Sequence, residues 1–188
     1  MTENSTAPHV VLGAPLNLPA DNGLLEIYLA GGCFWGVERF LWETPGVKVT
    51  AVGYMGGAAP NPSYVQVCTG FTGHAETVRV VYDPTEVTTD DLLAVFFENH
   101  DPTQMNRQGN DRGTQYRSAV WTTTPEQFEV AQRLKSAYEA KLIEAGYGPI
   151  VTEIHSPPPP VFHLAEDYHQ GYLQKNPGGY CNHGFNGV

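Results

Sequence analysis

Residues 25–54 read LEIYLAGGCFWGVERFLWETPGVKVTAVGY, and the pattern of this stretch sets the fold class. Leu25 to Ala30 is a short apolar run of the kind that forms a buried strand. From Phe34 to Trp42 the apolar residues Phe34, Val37 and Leu41 recur at helical spacing, with Pro45-Gly46 just beyond as a stop. Val47 to Tyr54 is rich in β-branched and aromatic residues and reads as a second strand. Further out, Glu76 to Tyr82 alternates Thr77, Arg79 and Val81 against Val78, Val80 and Tyr82, a third strand closed by Asp83-Pro84. Thr89 to Asn99 opens with Thr89-Asp90-Asp91, a cap and acidic first turn suited to the helix dipole. Tyr116 to Thr122 reads as a strand. Thr124-Pro125-Glu126-Gln127 opens a long helix, which runs to about Ala145 and stops at Gly146. Val151 to His155 reads as a short strand and Ala165 to Gln174 as a short helix. A loop rich in glycine and proline, Gly56 to Gly73, separates the second and third strands.

The order β-α-β-β-α-β over residues 25–122 predicts an α+β fold. Its expected form is a ferredoxin-like split β-α-β two-layer sandwich, with long irregular loops and an extended C-terminal tail. A doubly wound parallel sheet would need stricter alternation of strand and helix. The chain has 188 residues, room for one domain. Residues 1–23 show little periodicity and read as an N-terminal arm, draped on the surface or partly disordered. Residues 24–188 read as a single catalytic domain, with 175–188 a mobile tail. Pro157 to Pro160 reads as a stiff extended connector.

Composition narrows the function. Ten Lys and Arg against 20 Asp and Glu leave a net charge of -10, which argues against nucleic-acid and anionic-membrane surfaces. The longest apolar run, Leu92 to Phe97, is far shorter than the roughly 20 residues that span a bilayer. No Lys or Arg precedes Arg39, so a basic secretory n-region is not expected, and the location expected is cytoplasmic. Three cysteines without a Cys-x-x-Cys spacing suit neither a disulfide-stapled scaffold nor a multi-cysteine zinc module. His74-x-Glu76 matches the opening of a zinc-deaminase signature, but the required Pro-Cys-x-x-Cys is missing, and no His-x-x-x-His spacing occurs. No metal site is expected.

Four segments carry candidate chemistry. In Gly31-Gly32-Cys33-Phe34-Trp35-Gly36, Cys33 sits where a strand becomes a helix. The first-turn N–H groups favour an anion there, which predicts a thiolate with a pKa below the ordinary value of about 8.5. A buried structural cysteine beside core aromatics is the plainer reading, but a core strand gains nothing from three glycines. In Gly73-His74-Ala75-Glu76, the carboxyl of Glu76 leads an apolar strand, where desolvation would raise its pKa and make it a proton donor. A solvated strand-end Glu is the alternative. The loop from Gly109 to Ser118 suits a turn or a substrate contact: Asp111 can accept from a backbone N–H and Tyr116 can donate a phenolic proton. In Gly178-Gly179-Tyr180-Cys181-Asn182-His183-Gly184, Cys181 lies in a terminal segment whose composition suits carrying a thiol to another cysteine, or is an incidental exposed cysteine. Cys68 reads as structural or incidental.

These segments together resemble the A-type peptide methionine sulfoxide reductases, which act on the S epimer. The resemblance runs from about Glu26 to Val188. It rests on Gly32-Cys33-Phe34-Trp35-Gly36, Gly53-Tyr54-x-Gly56-Gly57, Asn61-Pro62-Ser63-Tyr64, Gly73-His74-Ala75-Glu76, His100-Asp101-Pro102, Gly109 through Tyr116, and Asn176 through Cys181. It implies that Cys33 attacks the sulfoxide sulfur and that Glu76 holds and protonates the oxygen, with Tyr64 and Tyr116 as further hydroxyl donors. It also implies that Phe34 and Trp35 wall the pocket for the S-methyl group, that Asp111 binds substrate or orders the pocket, and that Cys181 resolves the Cys33 sulfenic acid to a disulfide. The implied substrates are oxidised proteins or free methionine sulfoxide, and the implied role is repair of oxidised proteins. Thioredoxin is the implied reductant, with no metal, flavin or nicotinamide required and a monomer expected. Some members continue into a second recycling cysteine in a Gly-Val-x-Cys pattern, whereas the residues here end at Gly187-Val188.

Two other classes compete. A cysteine hydrolase would need Cys33 activated by His74 or His169 and an oxyanion hole. A non-catalytic binding module leaves the thiols at 33 and 181 without a purpose. If Cys33 is the nucleophile, Cys33→Ser abolishes sulfoxide reduction even with a strong dithiol present. Appreciable methionine release by that variant would move the nucleophile elsewhere.

Overall fold

The computed structural model describes residues 6–188. In chain order its elements are β1 (Leu25–Gly31), α1 (Phe34–Trp42), β2 (Val47–Met55), α2 (Tyr64–Cys68), β3 (Ala75–Tyr82), α3 (Thr89–Glu98), β4 (Arg107–Gln108), β5 (Asp111–Arg112), β6 (Ser118–Thr122), α4 (Pro125–Glu144), β7 (Glu153–His155), β8 (His163–Leu164) and α5 (Tyr172–Lys175). Six strands form one mixed sheet in the order β7-β6-β1-β3-β2-β8. Neighbours are antiparallel except β6 and β7. A separate two-stranded ribbon pairs β4 with β5. This is an α+β fold.

The alternation of the central strands sends side chains to both faces. Ile27, Leu29, Val78, Val80, Tyr82 and Val120 meet Phe34, Val37 and Leu41 of α1, Phe96 and Phe97 of α3, and Tyr138 and Leu142 of α4 in the main core. Tyr28, Ala30, Met55, Ala75, Ala119 and Trp121 form a second cluster on the opposite face, closed by Phe162. Leu16 of the N-terminal arm covers Val49, Ala51 and Val81. The arm is held there by Arg79, which donates to the Leu16 and Leu18 carbonyls at 3.0 and 2.7 Å.

Some elements differ from the sequence expectation. The Gly56–Gly73 loop contains α2, because Ser63 and Gln66 form a reciprocal capping box at its start. The cap of α3 is Thr88 rather than Thr89. The strand expected from Tyr116 begins at Ser118, since Thr114–Tyr116 make a 3-10 turn. The helix expected over Ala165–Gln174 exists only as α5. Its place is taken by tertiary bonds: the Gln170 amide pairs with both the N–H and the C=O of Val52, acting as a strand partner for β2. Gly171 follows in the left-handed region at φ 58°, packed so closely on Val10 that a Cβ would meet it at 2.3 Å.

Glu38 of α1, fully buried, joins four parts of the chain. Its Oε2 accepts from the Gly171 N–H at 2.9 Å, and its Oε1 accepts from Thr50 Oγ1 at 3.2 Å and lies 3.4 Å from His9 Nε2. Glu38→Ala leaves the Gly171 N–H unpartnered, at about 1–3 kcal/mol, while Thr50 Oγ1 and His9 Nε2 keep each other at 2.9 Å. Urea unfolding is expected to show a lower midpoint by an amount in that range or above it. An unchanged midpoint would mean that the arm and the Gly171 segment are held by other contacts.

Candidate active site

The sheet pairing brings the candidate residues together. β1 runs antiparallel to β3, with Leu29 opposite Val78, so the end of β1 meets the start of β3. β6 is also antiparallel to β1, with Gly31 opposite Ser118. One edge of the sheet therefore collects Cys33 just past β1, Glu76 at the head of β3, and Tyr116 just before β6. Tyr54, opposite Glu76 on β2, reaches the same edge.

Cys33 is the N-cap of α1 and makes no side-chain capping bond. It is 7% exposed. The expectation of a stabilised thiolate is corrected here. Burial pushes the thiol up, the Glu76 carboxylate adds to this once it ionises and the Asp111 charge adds further, and the opposing N–H groups of Trp35 and Gly36 do not outweigh them. The helix start does act on the sulfur as expected, but desolvation dominates, so Cys33 rests as a thiol.

Glu76 is 2% exposed, and its Oε2 accepts from the Phe34 N–H at 3.0 Å. The carboxyl is thus tied to the residue next to the nucleophile. Burial raises its pKa to about 8, against the lowering effect of the Phe34 N–H, with the Asp111 charge adding to the rise. It is therefore a proton donor at neutral pH, as the sequence suggested. Burial and then the nearby charge of Glu76 also push up the Tyr116 phenol. The Tyr64 phenol is raised by burial, by its hydrogen bond to Cys68 and by Glu76. Both phenols keep their protons as donors.

A second carboxyl behaves oppositely. Against the raising effect of burial, the Tyr64 N–H and the Tyr54 hydroxyl hold Glu166 below its ordinary pKa. These donors lie at 2.9 and 2.8 Å. The two carboxyls thus sit in environments that separate their pKa values, with Glu76 protonated and Glu166 charged at neutral pH.

The aromatic wall is built by packing. The Phe34 ring lies 5.9 Å from Tyr54 and 5.1 Å from His169. Trp35 stacks on Tyr172 at 3.8 Å and donates its indole N–H to His169 Nδ1 at 3.0 Å. Tyr54, Glu166 and Tyr172 went unassigned in the sequence, and His169 stood only as a possible base of the hydrolase alternative. Tyr54 stood within a quoted motif, but the other three act through partners more than 100 residues away in the chain.

Asp111 and Cys181 belong to the site through the tail. Asp111 accepts from Tyr180 Oη and Asn182 Nδ2, each at 3.2 Å, and so grips both neighbours of Cys181. The sulfur of Cys181 faces Gly36, one turn along the helix from Cys33: a Cβ on Gly36 would stand 3.1 Å from it. The tail expected to be mobile is tied at several points. His183 Nε2 bonds the Gly31 carbonyl at 2.7 Å, and the Asn186 amide donates to Phe97 and His100 carbonyls at 2.7 and 2.8 Å. Cys68 ends α2, exposed, one helical turn from Tyr64.

The histidines of the hydrolase alternative are engaged elsewhere. His74 accepts from the Gly57 N–H and donates to the Ala59 carbonyl, and His169 holds Trp35. Among the described residues, no helix is long and apolar enough to cross a membrane, and no group of three or more His, Cys, Asp or Glu is placed to hold a metal.

A buried thiol at a helix start, beside a protonated buried carboxyl and phenols, with a second thiol packed against Gly36 of the same helix, suits thiol-dependent redox chemistry. Comparison with known proteins makes the class specific. The family model described as peptide methionine sulfoxide reductase matches residues 25–187. Peptide methionine sulfoxide reductase MsrA of Salinispora tropica is 57% identical over 185 residues, 97% of this chain and 83% of that protein. The solved structure of methionine sulfoxide reductase A of Corynebacterium diphtheriae is 50% identical, with a TM-score of 0.85 over 96% of this chain and 87% of that one. Reduced Mxr1 from Saccharomyces cerevisiae is 36% identical, with a TM-score of 0.78 over 86% and 91%. The chain belongs to the peptide methionine sulfoxide reductase family and is an enzyme of that thiol-dependent reaction, which overturns the hydrolase and binding-module alternatives.

If Glu76 is the acid, the rate of sulfenic acid formation is expected to fall as pH rises through about 8. Glu76→Gln should bind substrate yet lose about 10²–10⁴-fold in that step. A loss below about threefold would remove Glu76 as the acid. Stability should move the other way. The folded pKa lies above the unfolded one, so the stability Glu76 contributes is complete below the unfolded carboxyl value, about 4.3, and is lost as pH rises toward about 8. Thermal melts should therefore favour Glu76→Gln over the wild type at pH 9, with the gap closing toward pH 5.

Proposed function

We propose that this enzyme reduces methionine-S-sulfoxide, in oxidised proteins and as the free amino acid, through a sulfenic acid on Cys33. The observation that carries the residue roles is the Phe34 N–H bond that ties the protonated, buried Glu76 to the nucleophile's neighbour. A sulfoxide oxygen leaves only if protonated as its sulfur is attacked. Cys33 Sγ attacks that sulfur, and Glu76 gives its proton to the oxygen, helped by the Tyr64 and Tyr116 hydroxyls. The oxygen ends on Cys33 as S–OH, methionine leaves as the sulfide, and the thiol proton restores Glu76. One thiol and one sulfoxide thus become one sulfenic acid and one sulfide. Phe34 and Trp35 receive the S-methyl group, so one epimer fits by shape.

In the second half, Cys181 condenses with the sulfenic acid to a Cys33–Cys181 disulfide and water. The position of its sulfur against Gly36 supports this role, as does the grip of Asp111 on its two neighbours, so Asp111 orders the site through the tail. Thioredoxin then reduces the disulfide by thiol exchange. The Mxr1 protein has a structure in complex with Trx2, which supports this choice of reductant. The strand order β6-β1-β3-β2, connected through α1 and α3, supports a ferredoxin-like split β-α-β unit. The remaining parts of the reading are a catalytic domain over 24–188 behind an arm over 1–23, a monomer, and a cytoplasmic location.

The test separates the two halves. Cys181→Ser should release one methionine per enzyme in a single turnover, because Cys33 and Glu76 are intact. Its steady-state turnover with thioredoxin should collapse, since a sulfenic acid without a resolving thiol is a poor partner for exchange. Cys68→Ser should leave both steps near wild type. If Cys181→Ser recycles normally and Cys68→Ser does not, the resolving thiol is Cys68.

A further inference from the structure

His183 lies two residues beyond Cys181, and its ring enters the first turn of α1. Its Nε2 sits 2.7 Å from the Gly31 carbonyl oxygen. A carbonyl only accepts, so Nε2 carries the proton and Nδ1 of the neutral ring presents a lone pair. Nδ1 is out of solvent and has no hydrogen-bond partner. Buried polar nitrogens left this way are uncommon and call for an explanation. The absence of a side chain at Gly36 makes the room: a Cβ there would stand 2.2 Å from His183 Nδ1 and 3.1 Å from Cys181 Sγ. The nitrogen and the sulfur are therefore within the sum of those two distances of each other, over the helix turn that begins at Cys33.

We propose that His183 is the general base of the second half-reaction, its Nδ1 taking the Cys181 proton as that sulfur attacks the Cys33 sulfenic acid. The proposal rests on Cys181 being the resolving thiol. The step balances without an outside oxidant. An S–S bond forms between Cys181 and Cys33, and the S–O bond of Cys33 breaks. The proton taken by Nδ1 leaves with the hydroxide as water, while Cys181 is oxidised and the Cys33 sulfur reduced.

The need for a base follows from thiol chemistry. An ordinary thiol of pKa about 8.5 is only about 3% ionised at pH 7. A base acting during attack recovers up to about 30-fold of what that fraction withholds. His183 is in the right state for this. Burial lowers its pKa and Arg39 of α1 adds to this, against the Gly31 carbonyl and the charge of Asp111, so the ring is neutral when it meets the thiol. The other titratable group coupled to it is His100 at the end of α3, itself held neutral by burial. The ring of Phe40 packs on its side at 6.1 Å.

The experiment mixes reduced enzyme with one equivalent of a methyl sulfoxide. Methionine release and disulfide formation are followed separately by acid quench, alkylation and mass spectrometry between pH 6.5 and 9. His183→Gln keeps a donor for the Gly31 carbonyl but has no basic nitrogen. It is expected to release methionine at the wild-type rate and amplitude, which also reports that the site is folded. Its disulfide step should be slower by about 10–30-fold at pH 7, with the gap to the wild type narrowing as pH rises toward 9. The wild-type step should be nearly flat from pH 7 to 9. A wild-type rate that climbs close to tenfold per pH unit overturns the proposal without any variant. A His183→Gln deficit that is absent, or equal at every pH, also overturns it and leaves the Cys181 assignment standing. A Cys33–Cys68 disulfide in the wild type overturns both.

Discussion

The hydrogen bond from the Phe34 N–H to Glu76 Oε2 is the constraint on which the site depends. It joins the first residue of α1 to the second residue of β3, 42 positions later, and it does so inside the core. A helix start leaves N–H groups without partners, and a buried carboxyl needs donors. Each satisfies the other's deficit. The bond lowers the pKa of Glu76, yet desolvation still holds the acid protonated near neutrality. Geometry and protonation state thus come from one arrangement: the carboxyl is fixed in place by a donor too weak to ionise it.

The same region keeps its nucleophile quiet. Cys33 sits at a helix start, the usual setting for an activated thiol, but burial and neighbouring negative charge hold it as a thiol. On the proposed mechanism, activation belongs to the moment of reaction, when a sulfoxide brings its own polarised S–O bond between thiol and acid. A resting thiol at such a site is also protected from indiscriminate oxidation, since the thiolate is the oxidised form's usual precursor.

The tail has the opposite character to the one its composition suggests. Glycine and asparagine are residues of loose segments, yet the Asn182 amide donates to Asp111 and to the Gln108 carbonyl, and that of Asn186 caps the carbonyls at the end of α3. The asparagines act as ties, and Gly36 of α1 provides the space into which Cys181 and His183 fit. These bonds hold Cys181 beside α1.

Much was legible in the sequence because it depends on local pattern. The strand–glycine turn–helix of residues 25–42, the Thr124-Pro125 helix start, and the apolar flanks that bury Glu76 are short-range features, and each of them predicts its own structure. Cys33, Glu76 and the neighbouring aromatics could be singled out on those grounds. Tertiary structure decided what depends on distant partners. The register of β1 against β3 and β6 put Glu76 and Tyr116 beside Cys33. The bonds of Gln170 and Gly171 to β2 and α1 replaced a helix that the local sequence allowed. The unpartnered nitrogen of His183 came to lie near Cys181 over Gly36. The ionisation of Cys33 was also decided there, because the helix start that favours a thiolate is visible in the sequence, whereas the burial and the carboxyls that outweigh it exist only once the chain has folded.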